Sequence, residues 1–411
     1  MKIAIDLRPL QIGHQYRGIG AYIINVIGRF PAEDTEHIFI IIRYDNSNPV
    51  DDFDLPFKEY EEIVMKKPGE PHGLDILKEV VKRRFHRRFG DLYTHNPDVF
   101  FQPDFQLGLP RGRRMKKYVV MYDIIPLVLR DIYLPSWKHL LSKPGLGKIR
   151  RLRMILSAWL RENHYLRSLR SLRRATRILS ISQATTNDLH DYVGIPREKI
   201  ATIHLAPSMP DEESRNSHKP KQLNKSVNPL LYYTGGVDER RKIADLIHAF
   251  NLLNGRGHNF DLVLGGKELA EADKVPNIEV REAIMDSSYR DQIYLLGFTT
   301  QEEKTWLMEH AFVFVYPTIY EGFGLPILEA MLEGCPVITY DNSSIPEIAG
   351  NSAILLKEQG GIAIQDAVLA LQKDIEWRKK LIAYGRKNAR SFSWDRCAQD
   401  TYKTITSQKG R

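Results

Sequence analysis

Residues 316–334 read YPTIYEGFGLPILEAMLEG, an apolar run that breaks at Gly322 and Gly324 and reopens into an apolar helical pattern, with Glu321 and Glu329 on either side. The preceding AFVFVYP reads as a buried strand. PILEAMLEG reads as a helix with Pro326 at its first position, where a missing N–H costs nothing. Between them the two glycines permit a sharp turn and let backbone N–H groups approach a ligand without a Cβ in the way. Such donors at a helix start suit an anion, although one helix end contributes only about 0.3–1 kcal/mol toward an exposed charge. On this reading Glu329 lies in the first turn of the helix and accepts hydrogen bonds from vicinal hydroxyls such as those of a ribose. Glu321 faces whatever is attached beyond the phosphates. Two plainer readings stand beside it: a structural Gly-Phe-Gly turn, and a carboxylate that merely complements the helix dipole.

The same grammar recurs along the chain. KIAIDL, IFIIIR, DVFFQP, YVVMYD and RILSIS in the first half, and LLYYTG, FDLVLGG, QIYLLGF, AFVFVYP and PVITYD in the second, are short apolar runs alternating with longer amphipathic ones. That alternation predicts parallel sheets covered by helices. APSMPDEESRNSHKPKQLNKSVNP, residues 206–229, interrupts it with a polar, proline-containing stretch that reads as linker or exposed loop. A chain of 411 residues with 43% hydrophobic content suffices for two ordinary domains. The expected plan is therefore α/β. Residues 1–205 form one Rossmann-like domain, 206–228 a linker, 229–390 a second such domain, and 391–411 a terminal helix packing back toward the first. Open parallel sheets bind ligands beyond their carboxyl ends, so a cleft between the domains is the expected place for substrate.

A second stretch adds to the anion site. YYTGGVDERRKIADLIHAF, residues 232–250, reads as strand, Gly235–Gly236 turn and helix, with Arg240 and Arg241 near the helix start. Guanidinium forks hold phosphate oxygens in pairs, so these two arginines suit a leaving diphosphate without help from a metal. Alone, the pair is equally a solvated face.

Lysine and arginine number 59 against 51 aspartates and glutamates, an excess of 8, which suits an anionic partner or surface. Cys335 and Cys397 stand in no metal-ligand spacing, which points to a reducing compartment and away from a disulfide scaffold. MKIAIDL reads as a core strand rather than a leader, and no run of eighteen apolar residues occurs, so the expected location is cytoplasmic. Residues 143–177 are heavily basic with apolar residues at helical spacing. They either lie on anionic lipid at the inner face of the cytoplasmic membrane or pack their apolar side on the domain. Neither interleaved aromatics nor a helix-turn-helix stretch points to nucleic acid. Asp52 and Asp54 make a literal Asp-x-Asp in a polar loop, and His14, His95 and His204 are scattered, so no metal site is expected. His14 precedes the Gly18–Gly20 pair and is the histidine expected nearest a substrate.

At these residues the chain resembles glycosyltransferase family 4, retaining nucleotide-sugar transferases of the GT-B architecture, in which two Rossmann-like doubly wound domains face each other across a cleft. The resemblance rests on YEGFGLPILEAM, which carries the family's Glu, seven residues, Glu signature at Glu321 and Glu329, and on the flanking IYLLGFTTQEEKTWLMEHAFVFVYPT and GCPVITYDNSSIPEIAGNSAILL. YYTGGVDERRKIADLIHAF and ATRILSISQATTNDLHDYVGIPREKIATIHLAP also match, while IAIDLRPLQIGHQYRGIGAYI and YVVMYDIIPL resemble a bacterial subset active in polysaccharide assembly.

The resemblance implies a glycosyltransferase that moves a hexose or deoxyhexose, mannose-type favoured, from a nucleoside diphosphate to a saccharide or lipid-linked saccharide. The acceptor is expected on the first domain and the donor on the second, with no cofactor or metal. It further implies that Glu321 contacts hydroxyls of the donor sugar beside the amides of Gly322, Phe323 and Gly324, that the Leu325 amide reaches phosphate, and that Glu329 binds the ribose. Arg240 and Arg241 match an Arg-Lys phosphate clamp next to Gly235 and Gly236, with arginine in place of lysine. Phe298, after Gly297, matches the position where the base packs, and Gly18 and Gly20 match a glycine loop that approaches the diphosphate. Tyr122 and Asp123 stand where many members carry His-Asp, the histidine touching the transferred sugar; a tyrosine still donates one hydrogen bond. Two other functions stay open: another GT-B enzyme such as a phosphorylase or sucrose-type synthase, and a basic binding protein with an inactive site. For the leading reading, Glu321→Ala is expected to abolish transfer with little unfolding.

Overall fold

The apolar runs become strands, and every strand pairing among the described residues is parallel. A computed structural model describes residues 1–12, 18–45, 53, 55–67, 89, 91–112, 114–134, 148–208 and 217–407. The chain divides into two units, Met1–His204 with Trp394–Arg411, and Leu205–Ser393. Asp52, Asp54, His14 and residues 143–147 of the basic stretch lie outside the described residues.

The first unit holds β1 (Lys2–Asp6), β2 (Ile38–Tyr44), β3 (Tyr60–Met65), β4 (Val99–Gln102), β5 (Lys116–Met121), β6 (Arg177–Ser180) and β7 (Ile200–Thr202). They lie in the order β3-β2-β1-β4-β5-β6-β7, with Ile3 of β1 opposite Phe39 on one side and Val99 on the other. The second unit holds β8 (Leu230–Thr234), β9 (Asp261–Gly265), β10 (Ile293–Gly297), β11 (Val313–Tyr316), β12 (Val337–Tyr340) and β13 (Ile354–Leu356). Their order is β10-β9-β8-β11-β12-β13. Both sheets are doubly wound, and the winding reverses between β1 and β4 and between β8 and β11, where such sheets open a crevice for ligands. The α/β class expected from the sequence is the class found.

Central strands are covered on both faces, which is why their sequences are continuous apolar runs. Ile3, Ala4 and Ile5 of β1, Phe100 and Phe101 of β4, and Val313, Phe314 and Val315 of β11 are all fully buried. The longer helices among the described residues are α1 (Gly18–Ile27), α2 (Lys148–Ser171), α3 (Gln183–Val193), α4 (Ile243–Gly255), α5 (Ile278–Met285), α6 (Gln301–His310), α7 (Leu325–Glu333), α8 (Gly361–Lys373), α9 (Ile375–Ala389) and α10 (Trp394–Thr406). Their ends carry ordinary stop signals. The Ser182 side chain caps α3, which closes at left-handed Gly194, and Thr300 and Glu303 form a reciprocal capping box on α6.

α10 is part of the first unit. Tyr22 of α1 shares a hydrogen bond with Thr401 at 3.2 Å, the rings of Phe30 and Tyr402 meet edge-on at 5.2 Å, and Arg29 reaches Asp395 at 3.1 Å. The Tyr402 hydroxyl donates to Asp34, which also pairs with His37 at 2.8 Å. In the polar stretch 206–228, the described part is packed on the second unit: Lys221–Leu223 form a 3-10 turn and Leu223 is fully buried.

Candidate active site

At the switch point of the second sheet, the loops leaving β8 and β11 meet. Gly235 follows β8 with φ +154°, and its N–H donates to the Gly265 carbonyl at 3.0 Å. A Cβ on the neighbouring Gly266 would lie 2.1 Å from the Gly235 carbonyl oxygen, so backbone meets backbone here and only glycine fits. The Tyr233 hydroxyl donates to the Gly236 carbonyl at 2.6 Å and fixes the turn from below. Arg240 and Arg241 follow in a short 3-10 turn, Glu239–Arg241, ahead of α4. The Arg240 carbonyl accepts from Ile319 N–H at 2.9 Å, which ties this turn to the loop after β11.

Glu321 is the centre of that second loop, and it is 8% exposed. Its Oε1 accepts from Arg240 Nη1 at 2.6 Å, Arg241 Nη1, the Thr318 hydroxyl at 3.0 Å and the Tyr316 hydroxyl at 3.2 Å. Arg240 Nη1 also donates to the Tyr320 carbonyl at 2.7 Å, and the Arg241 guanidinium lies 4.8 Å over the Tyr316 ring. Two positive charges against one negative give this trio a net positive charge, and Arg241 Nε is buried without a hydrogen-bond partner among the described residues. The loop after β12 buttresses the whole. Ser343, held at φ +46°, accepts from Glu321 N–H at 2.9 Å, Ser344 donates to the carbonyls of Glu321 and Phe323 at 2.9 Å each, and Asn342 donates to Thr318 O at 2.8 Å.

Glycine placement then sets the helix. Gly324 takes φ +107° at the N-cap of α7, so Leu325 is the first helical residue and Pro326 the second, one position later than the sequence suggested. Glu329 consequently falls beyond the first turn, which carries no acidic residue; the expected first-turn placement is corrected by the left-handed glycine, which starts the helix at Leu325. Its Oε2 is gripped by Lys304 of α6 at 2.6 Å. Phe323 is buried and meets Phe392 edge-on at 5.9 Å, so its side chain is core and only its backbone borders the loop. Phe298 projects from the end of β10 with 77% of its surface exposed.

The first-unit candidates are arranged differently. Gly18 and Gly20 are the first and third residues of α1 rather than a loop. Tyr122 turns its hydroxyl into the protein, where it is buried without a partner among the described residues, and its ring meets Tyr22 edge-on at 5.8 Å. Burial pushes that hydroxyl well above its ordinary pKa, with Tyr22 and Asp104 adding to the effect. This geometry is that of a packing residue. Asp123 Oδ1 accepts from Ile125 N–H at 3.0 Å, just ahead of the one-turn helix Ile125–Val128. His95 pairs with Glu61 at 2.9 Å, and His204 is exposed. Among the described residues no group of three or more His, Cys, Asp or Glu is placed to hold a metal ion.

Sequence reasoning missed Tyr316, Thr318, Ser343 and Lys304. Thr318 and Tyr316 flank the motif within five residues of Glu321, and their nearness in sequence is the one signal that pointed to them.

Two facing loops at the switch point of a doubly wound sheet, holding an arginine pair on a glutamate beside a glycine turn, place the second unit in a known class. Residues 214–388 match the family model described as glycosyl transferases group 1. Structures similar in fold include HepE of Anabaena in complex with UDP and glucose, with a TM-score of 0.64 at 15% identity over 99% of this chain and 100% of that one. Another is WaaG, a glycosyltransferase involved in lipopolysaccharide biosynthesis, with a TM-score of 0.65 at 14% identity over 98% and 100%. The architecture is therefore GT-B, as the resemblance implied. Among curated relatives, O-antigen chain mannosyltransferase B of Escherichia coli is 30% identical over 235 residues, 56% of this chain and 60% of that protein. The serotype-specific mannosyltransferase WbdA of Escherichia coli is 24% identical over 421 residues, 96% of this chain and 46% of that one. The chain thus spans about half the length of the curated relatives it matches.

Proposed function

We propose that this chain transfers a sugar, mannose-type favoured, from a nucleoside diphosphate to a saccharide or lipid-linked saccharide acceptor during assembly of a surface polysaccharide, with retention of configuration. The convergence of Arg240 and Arg241 on Glu321 beside the Gly322–Gly324 turn carries this reading. The mannosyltransferase names of its relatives support the choice of sugar. An entering diphosphate takes guanidinium donors away from Glu321, and the Nε–H of Arg241 is already in want of an acceptor. The released carboxylate accepts hydroxyls of the sugar, and Glu329 accepts those of the ribose.

In the reaction, the bond from the anomeric carbon to the diphosphate oxygen breaks while the acceptor oxygen bonds to that carbon from the same face. The acceptor proton passes to the departing phosphate oxygen. Charge on the leaving group is the dominant need, and the arginine pair answers it. Neither glutamate has to act as nucleophile, and Tyr122 has no acid or base role in this scheme.

The test uses purified chain with GDP-, UDP- and ADP-sugars, following nucleotide release and product. Glu321→Ala is a poor probe, because removing the carboxylate leaves two buried guanidiniums without their shared counter-charge, at an expected cost of about 3–5 kcal/mol. Glu321→Gln keeps an acceptor and the shape, and is expected to lower kcat by about 10²–10³-fold. Near-full activity in that variant would overturn the assignment. Added inorganic phosphate or fructose in the same assay distinguishes a phosphorylase or sucrose-type synthase, and nucleotide binding without turnover marks an inactive site.

The partner surface is part of the same proposal. α2 is rich in arginine and exposes Leu156 and Trp159 one turn apart, which suits peripheral contact with anionic lipid. No helix among the described residues is long and apolar enough to cross a membrane. Flotation with phosphatidylglycerol-containing vesicles at low salt is the expected result, weakened by Trp159→Ala; absence of flotation ends the membrane reading.

A further inference from the structure

Lys304, which pairs with Glu329, itself lies outside the signature that marks the site. Lys304 Nζ donates to Glu329 Oε2 at 2.6 Å, with only 20% and 16% of the two side chains exposed. Lys304 sits on α6, which opens three residues after the exposed Phe298, and Glu329 sits on α7. One short segment thus carries both the proposed platform for the base and the cation that grips the proposed ribose carboxylate. The surroundings make that cation consequential. Glu333, one turn beyond Glu329, has its carboxyl pushed up by burial and by Glu309 and Glu329, while Arg386 and Lys304 pull it down.

We propose that Lys304 is a positioning residue for nucleoside recognition. Its ammonium holds Oε2, fixes a side chain that otherwise has three freely rotating bonds, and leaves Oε1 to accept hydrogen bonds from the vicinal hydroxyls of a ribose. Lys304 therefore sets a preference for ribonucleotides over deoxyribonucleotides. This inference rests on the ribose role proposed for Glu329.

Titration calorimetry on the full chain tests it, with GDP, UDP and ADP and their 2′-deoxy counterparts at one salt concentration. The wild type is expected to prefer the ribo form of its best nucleotide by on the order of tenfold or more, the worth of a hydrogen bond to a charged group. Lys304→Met is expected to cut that preference below about threefold, by weakening the ribo form while the deoxy form binds nearly as before. Lys304→Arg, which keeps a cation for Oε2, is expected to restore most of it. Lys304→Gln replaces the methionine variant if that one fails to fold. Glu329→Gln separates the two levels of the argument. If it keeps the wild-type preference, or if no nucleotide binds the wild type or shows a preference, the ribose reading is wrong and this inference falls with it. If Glu329→Gln loses the preference while Lys304→Met keeps it, the ribose reading stands and the role of Lys304 alone is overturned.

Discussion

One carboxylate oxygen, Glu321 Oε1, gathers donors from four side chains, and each arrives from a different local cause. The arginines were legible because they stand in sequence beside a glycine turn, and Glu321 because it precedes another. Tyr316 and Thr318 were not read as part of the site, since a hydroxyl at a strand end has no spacing that announces its partner. Lys304 lies 25 positions from Glu329, and nothing in a lone lysine on a polar helix face reveals that distance closed. Backbone constraints are more predictive at this scale. Gly266→Ala would drive a Cβ to 2.1 Å from the Gly235 carbonyl, whereas Gly194→Ala meets nothing within 4 Å and bears only the cost of its positive φ. Urea unfolding should show a loss of about 1 kcal/mol for Gly194→Ala and clearly more, at least about 2 kcal/mol, for Gly266→Ala. Equal losses would mean that the Gly235 loop yields without cost.

Among the elements, the strands that escaped the sequence are β3, β7 and β13, and all three lie at sheet edges. β3 and β7 mix exposed and buried positions, as in YEEIVM and IAT, so no long apolar run survives to be read, and β13, ILL, is only three residues long. The glycines at 18 and 20 stand in the first turn of α1, and a Gly-x-Gly is equally compatible with a loop and with a helix start. α7 offers a test of how its carboxylates are balanced. Glu333 has its carboxyl raised above the usual range chiefly by burial, so the native state disfavours its charged form. The sign follows: the native state gains stability as pH falls through the window above the ordinary carboxylate value, and is penalised at higher pH. Glu333→Gln should therefore raise Tm at about pH 7–8, and the gain should vanish near about pH 4, where the wild-type group is already neutral. A variant less stable than wild type at neutral pH would show that the carboxylate is held by partners rather than strained by burial.

At the scale of the whole molecule, the chain leaves its first unit after His204 and returns to it at Trp394. α10 is thus a late-arriving part of an early fold. Trp394, Cys397, Ala398, Thr401 and Ile405 are its buried face, and opposite them stand Tyr22 and Phe30, 1% and 3% exposed. Burial of a large apolar side chain contributes about 1.5–3 kcal/mol, so losing Trp394 and Ile405 alone removes several kcal/mol, before the Tyr22–Thr401 and Asp34–Tyr402 hydrogen bonds are considered. Domains have only about 5–15 kcal/mol in total. A chain cut after Ser393 should accordingly lose hydrogen-exchange protection in β1, α1 and β2 while β8, β9 and β11 keep theirs. Arg240, Arg241, Glu321 and Glu329 all belong to the second unit, so the truncated chain should bind nucleoside diphosphate within a few-fold of the full one and yet transfer no sugar. Protection of α1 left unchanged by the cut would show that the helix merely rests on the first unit and does not complete its core.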